Sequence, residues 1–365
     1  MNRELVRWVR IAFAVILIFV ASATVITTAS AANWTQNAHD QQNTGHAPDT
    51  LAPTGNPTVD WTFDVSIDHT NGGIKDGGNG SIWRSSPVVY NGTVYFGDTG
   101  HGISPSYVYA VDKATGSLEW RAGRGGDFRS APSVHNGKVY IGNEDGKLFV
   151  LDAGDGTEEF RIDLDDNTAA SAVNSPTVAD GTVYFGSHKS QVYAYDATSG
   201  VIEWTEDLPN SNAQVRDAPA YEDGDLYVTE TGLSGLHIVK YDGGTGQELW
   251  NETVFDTGTA QSNLEKPVLA HGNVYVTGQD KLYAYDQDTG AEVWNFTDND
   301  GHASSPAVAG CSVYYVSYGS GDLYSVDAGT GEENWVTKLS ETATRAPSVA
   351  NGTSTSVTTA VSYTV

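Results

Sequence analysis

The sequence predicts an all-β fold, a β-propeller built from four-stranded blades. Three observations predict it. Seven prolines (Pro87, Pro132, Pro176, Pro219, Pro267, Pro306 and Pro347) recur at separations of 45, 44, 43, 48, 39 and 41 residues. Each opens the same series of short β-rich segments, and each complete series ends on an aromatic residue. Glycine is abundant, at 40 of 365 residues, as many short strands joined by tight turns require. A near-constant period of forty-odd residues marks a repeat array whose units cannot bury their faces alone.

The clearest copy runs Ser175-Pro176, Gly181, Val183-Tyr184, Gly186, Val192-Tyr193-Ala194-Tyr195-Asp196, Gly200, Trp204. The proline stands at the first residue of a short strand, where a missing N–H does no harm. A two-residue turn such as Asn91-Gly92 then allows the positive φ of a hairpin. Val94-Tyr95-Phe96 and Val108-Tyr109-Ala110-Val111 have the β-branched and aromatic character of strands. Asp112 and its counterparts Asp152, Asp196, Asp242, Asp286 and Asp327 can accept backbone N–H groups in the turn that follows. The fourth strand carries the closing aromatic: Trp120, Phe160, Trp204, Trp250, Trp294 and Trp335. Recurrence at strand positions assigns these rings to packing between blades rather than to a carbohydrate-stacking stripe.

Complete units span 87–120, 132–160, 176–204, 219–250, 267–294 and 306–335. Two halves remain. Pro347 begins an inner half at the C-terminus, and Val59-Asp60-Trp61-Thr62-Phe63 reads as an outer strand with its own closing Trp61. Joining them gives seven blades and removes a pair of exposed sheet edges. Eight blades is the competing count.

Residues 1–31 read as a signal peptide or N-terminal membrane anchor, and residues 32–365 as the propeller. Arg3, Arg7 and Arg10 precede an apolar run, Ile11 to Ile26, and Ala29-Ser30-Ala31 fits a cleavage site. The run is shorter than the roughly 20 residues of a membrane span. The expected location is secreted or at the cell surface, with membrane contact only through an uncleaved N-terminus. Removing residues 1–31 leaves 45 acidic and 16 basic side chains, a net charge of −29. That charge disfavours nucleic acid and anionic lipid as partners. Its spread through every repeat suits halophilic adaptation better than a clustered cation site. The single Cys311 provides no internal disulfide, so packing must hold a monomer together.

The repeated Val-Tyr-Gly, Tyr-Ala-x-Asp, Thr-Gly and Trp elements resemble the PQQ-like (pyrroloquinoline quinone) repeats of quinoprotein alcohol dehydrogenases and of the envelope assembly lipoprotein BamB. The resemblance covers residues 33–350. The opening Asn33-Trp34-Thr35-Gln36, Asn43-Thr44-Gly45 and Pro48 is similar to the start of secreted members in halophilic archaea. The resemblance implies that the closing aromatic of each blade packs on a neighbouring blade. It also implies one enzymatic alternative, a quinoprotein oxidoreductase with PQQ and Ca²⁺ in the funnel. Such enzymes carry adjacent cysteines that one Cys cannot supply, and this sequence shows no matching base and calcium ligands.

Other chemistry is sparse. Asp298-Asn299-Asp300-Gly301 begins like a calcium loop but lacks the terminal glutamate. His101, His188, His237 and His271 fall in separate repeats without zinc spacing and are expected to face solvent. Asn33, Asn79, Asn91, Asn251, Asn295 and Asn351 begin glycosylation sequons, which also make good turns. One constellation stands apart. Of seven arginines after residue 31, four lie two or three residues before a repeat proline: Arg84, Arg129, Arg216 and Arg345. That position places them near the axis on one face, as a binding site for a carboxylate, a sulfated sugar or an acidic peptide, unless each pairs with a nearby aspartate. The sequence thus predicts a non-catalytic binding or assembly scaffold, with no catalytic residue, metal or cofactor and a protein or anionic carbohydrate partner at the propeller face.

Overall fold

A computed structural model describes residues 35–36, 40–44, 46–47, 61–63, 65, 67–68, 73–74, 85–100, 106–164, 173–209, 213–232, 235–255, 265–278, 281–298, 303–339, 346–347, 349–350 and 356–357. The described residues form strands and turns, with no helix long and apolar enough to cross a membrane.

Six antiparallel blades follow one another in chain order. Blade 1 comprises Val88–Tyr90, Thr93–Gly97, Tyr107–Asp112 and Leu118–Gly123. Blade 2 comprises Ser133–His135, Lys138–Gly142, Lys147–Asp152 and Glu158–Asp163. Blade 3 comprises Thr177–Ala179, Thr182–Gly186, Gln191–Asp196 and Ile202–Asp207. Blade 4 has longer strands, Asp225–Gly232, Gly235–Asp242 and Glu248–Phe255, and an inner edge in two pieces, Gln214–Val215 and Ala220–Glu222. Blade 5 comprises Val268–Ala270, Asn273–Gly278, Lys281–Asp286 and Glu292–Thr297. Blade 6 comprises Ala307–Ala309, Ser312–Val316, Asp322–Asp327 and Glu333–Lys338. A further sheet joins both ends of the chain. His46–Ala47 pairs parallel with Val349–Ala350, which pairs antiparallel with Ser356–Val357. This small sheet stands where a seventh blade would begin, and six complete blades accord with that count.

The turn after each third strand is built as the aspartate spacing predicts. Asp112 Oδ1 accepts the Thr115 hydroxyl and the amides of Ala114 and Thr115. The hydroxyl bond and those amides hold the Asp112 carboxyl below its ordinary range, and Asp196, Asp242 and Asp286 repeat the pattern. Four residues after each aspartate comes a glycine with φ between +68° and +77° (Gly116, Gly156, Gly200, Gly246, Gly290 and Gly331), backbone that favours glycine.

Those glycines are where neighbouring blades meet. A Cβ on Gly156 would lie 2.5 Å from the Trp120 ring, and one on Gly246 would lie 2.8 Å from Trp204. Trp250 covers Gly290, Trp294 covers Gly331, and Phe160 covers Gly200. The indole N–H then donates to the carbonyl one residue after the aspartate: Trp120 to Ala153, Trp204 to Gly243, Trp250 to Gln287 and Trp294 to Ala328. A tyrosine of the second strand reaches the same oxygen in three of these junctions: Tyr95 to Ala153, Tyr184 to Gly243 and Tyr275 to Ala328. Trp61 makes the equivalent contact on blade 1, against Gly116 and the Lys113 carbonyl. It therefore sits as the closing aromatic of a unit that precedes blade 1.

A β-bulge aims each aromatic. In blade 1, Val111 opposes Leu118 while Ala110 opposes Trp120, leaving Glu119 as the extra residue. The same shift leaves Glu159, Glu203, Leu249, Val293 and Asn334 unopposed in blades 2 to 6. One extra residue bends the edge strand and turns the following side chain toward the next blade. Leu249 and Val293 are consequently exposed.

The junction from blade 2 to blade 3 carries one donor fewer. Phe160 has no N–H, and only the Tyr140 hydroxyl reaches the Ala197 carbonyl, at 2.7 Å. Burial pushes the Tyr140 phenol up to about 12. Replacing Phe160→Trp should supply the missing donor and stabilise the protein by about 0.5–1.5 kcal/mol. A higher denaturant midpoint at unchanged slope checks this; a lower midpoint means the seat is fitted to phenylalanine.

Candidate functional site

The candidate site is the axis and the face on which the repeat prolines begin. Each innermost strand is hydrogen-bonded on its outer side only, so its inward amide needs another partner. The N-terminal segment provides it. Val134 N donates to the Thr35 carbonyl at 2.6 Å, Tyr221 N to Gln41 O at 2.8 Å, Leu269 N to Gln42 O at 2.8 Å and Val308 N to Thr44 O at 2.8 Å. Val178 is bracketed by one side chain: its N–H donates to Gln36 Oε1 at 3.2 Å, and its carbonyl accepts from Gln36 Nε2 at 3.1 Å. Each of these residues stands two positions after its repeat proline, as does Val349, the partner of His46. The segment thus forms an arc inside the ring of inner strands, from blade 2 to the terminal sheet.

Asn43 is the keystone of the arc. Its φ of +59° suits asparagine better than most residues. Its buried amide Nδ2 donates toward the carbonyls of Ala218, Pro219 and Pro267, across the seam of blades 4 and 5. Asp40 shapes the bend by accepting the Thr44 amide at 2.8 Å and the Thr44 hydroxyl. Close by, Lys266 is buried immediately before Pro267. Burial pushes its amine down, against the opposing influence of Asp217, Glu265 and Asp40.

The four predicted arginines have different fates. Arg84 and Arg345 lie outside the described residues. Arg216 is exposed at its blade entrance. Arg129 is half-buried and ion-paired, with Nη1 2.5 Å from Glu144 and Nη2 3.7 Å from Asp127. The structure therefore does not assemble four guanidinium groups among the described residues. Asp127 also accepts Gly100 N and the Ser106 hydroxyl.

Solvent exposure does not hold for every histidine. His271 is exposed, but His237 lies mostly buried in blade 4, with Nδ1 3.2 Å from Asn251 Oδ1 and 4.0 Å from the fully buried Glu230. The register places Glu230 opposite His237, a cross-strand pair made by the extra length of these strands. Among the described residues no three His, Cys, Asp or Glu side chains converge as a metal site. Calcium asks for six to eight oxygens. Among the described residues, the backbone of Thr35, Gln41, Gln42 and Thr44 and the Gln36 side chain line the inward edges of blades 2 to 6.

The family model described as outer membrane protein assembly factor BamB matches residues 104–337 and 278–364. The chain belongs to this family of PQQ-like propellers. Solved structures share its fold at low identity. BamB from Moraxella catarrhalis is 17% identical with a TM-score of 0.61, over 79% of this chain and 82% of that one. A europium-containing methanol dehydrogenase is 13% identical with a TM-score of 0.61, over 88% and 81%. The quinohemoprotein alcohol dehydrogenase ADHIIG from Pseudomonas putida HK5 is 16% identical with a TM-score of 0.50, over 87% and 74%. No curated protein sequence matches the chain. One fold therefore joins this propeller to both an assembly factor and redox enzymes, and function has to be argued from the site.

Asn43→Ala would leave three carbonyls at the seam of blades 4 and 5 without their shared donor. The expected loss is about 1–3 kcal/mol, read as a lower unfolding midpoint. Asn43→Gly keeps the backbone free to adopt positive φ and should lose nearly as much, which assigns the loss to the side chain.

Proposed function

We propose that this propeller is an exported, non-catalytic binding or assembly scaffold at the cell envelope. The observation that carries this reading is the axial segment: Thr35, Gln36, Gln41, Gln42 and Thr44 are hydrogen-bonded to the inward edges of five blades, and His46–Ala47 pairs with the C-terminal sheet, an arrangement that suits a binding scaffold. Membership in the family described as an assembly factor supports it. Export rests on the N-terminal leader, and the acidic surface on adaptation to high salt.

The ligand face is the one bearing the blade entrances. Arg216 is exposed there, Arg129 stands at the mouth of blade 2, and Arg84 and Arg345 precede their prolines at the same repeat position. In a chain of −29 after residues 1–31, Arg129 and Arg216 on this face are the cations offered to a carboxylate or sulfate. The Arg129 pair with Glu144 then acts as a latch that an incoming anion competes with. The alternative, a PQQ-dependent oxidoreductase, draws on the shared fold of the quinoprotein dehydrogenases.

Dextran sulfate titrated onto the wild type and an Arg129→Glu/Arg216→Glu variant tests the site. Binding weakened by about tenfold or more in the variant is expected for loss of charge-assisted bonds. Equal affinity removes the arginines from the site. Adding PQQ and Ca²⁺ and following dye-linked alcohol oxidation separates the two classes, and turnover would favour the oxidoreductase.

A further inference from the structure

The axial arc is bound as a foreign peptide would be bound. Four of the five inner-strand amides described above take main-chain carbonyls, at Thr35, Gln41, Gln42 and Thr44. Recognition through main-chain groups on a sheet edge is how sheets capture extended peptides, with a few side chains setting specificity. Here the edges are five separate blades, and one chain passes from edge to edge. Two side chains supply the specificity. Gln36 grips both the N–H and the carbonyl of Val178, completing the bonds of a strand partner with one amide group. Asn43, seven residues on, donates into two blades at once. Gln41 adds a third contact, to the Val178 carbonyl at 3.3 Å.

We propose that the ring of inward amides at Val134, Val178, Tyr221, Leu269 and Val308 is a receptor for an extended polypeptide, occupied in this chain by its own Thr35, Gln36, Gln41, Gln42 and Thr44. The receptor takes a strand-like segment with a glutamine at one end and, seven residues later, an asparagine at a left-handed bend. This deepens the scaffold reading and rests on it, by naming the partner class as extended polypeptide. The intramolecular occupant holds the site against competitors because tethering gives it a high effective concentration, on the order of millimolar. A free peptide of the same sequence therefore enters only when the tethered copy is weakened.

The test uses the full chain with Gln36→Ala and Asn43→Ala together, and a fluorescent peptide of residues 33–47 as probe. The expected result is a rise in anisotropy with the double variant and at least a tenfold weaker signal with the wild type, the difference being set by competition from the tethered segment. A peptide with the same two alanines should bind neither. Amide hydrogen exchange provides the second arm. In the wild type the Val134, Val178, Tyr221, Leu269 and Val308 amides should exchange as one cooperative group, and in the variant they should lose protection together. Addition of the wild-type peptide should restore it.

The proposal is overturned by an absence of peptide binding to the variant, by equal binding to variant and wild type, or by amides that keep full protection in the variant. Should the variant not fold, independent exchange of the five amides in the wild type overturns it alone. The arginine face is untouched by these substitutions. Dextran sulfate binding that persists when the peptide experiment fails would retire the receptor and leave the scaffold reading standing.

Discussion

Every described junction between blades rests on one contact: an aromatic ring laid over a glycine that has no Cβ to resist it. Gly156, Gly246 and Gly331 hold positive φ because the preceding aspartate folds the turn back on itself. The turn in turn presents a carbonyl outward, and Trp120, Trp204 and Trp294 lie close enough to donate to it. Aspartate, glycine and tryptophan are therefore one device distributed over two blades. The bulge before each aromatic belongs to the same device, since it re-aims the ring. Apolar burial supplies much of the stabilisation, and the shared carbonyl sets where the ring must stop.

The axis is solved differently. Blade-to-blade contacts repeat, but the inner edges of a propeller face one another across a space that no repeat fills. A single non-repeated segment answers the amides of five blades and then pairs with the C-terminal sheet. It ties the two ends of the chain into one structure. It also makes the segment itself, beside the entrance face, a place to look for a ligand.

Much of this was legible in the sequence, and the rest was not, for physical reasons. Proline spacing and the Asp-to-Gly turns are local and repeated, so chance cannot imitate them. Trp61 was recognisable as an outer-strand aromatic because its flanking residues keep the alternation of the other copies. The bulges were invisible, because their extra residues change character along the chain, from Glu119, Glu159 and Glu203 in blades 1 to 3 to Leu249, Val293 and Asn334 in blades 4 to 6. The axial segment showed itself only as a familiar-looking opening around Gln36 and Asn43, since a sequence present once has no period. The blade entrances located Arg129, and its pairing with the nearby Asp127 was the alternative the spacing offered, but Glu144 comes from the hairpin between the second and third strands of blade 2, which spacing does not bring beside it. Glu230 and His237 were missed because only the register of two lengthened strands makes them a pair.

The central claim is that the carbonyl beneath the ring, with its two donors, sets the junction. Gly243 O accepts Trp204 Nε1 at 2.8 Å and the Tyr184 hydroxyl at 3.1 Å. A thermodynamic cycle over Trp204→Phe and Tyr184→Phe measures the coupling most directly. Either single change leaves the carbonyl one donor, as at the Phe160 junction, and the double change leaves it none in a buried seam. The account predicts that the double variant loses about 1–3 kcal/mol more than the sum of the singles, the cost of an unpaired buried acceptor. Strictly additive losses would contradict it and reduce the junction to ring packing alone.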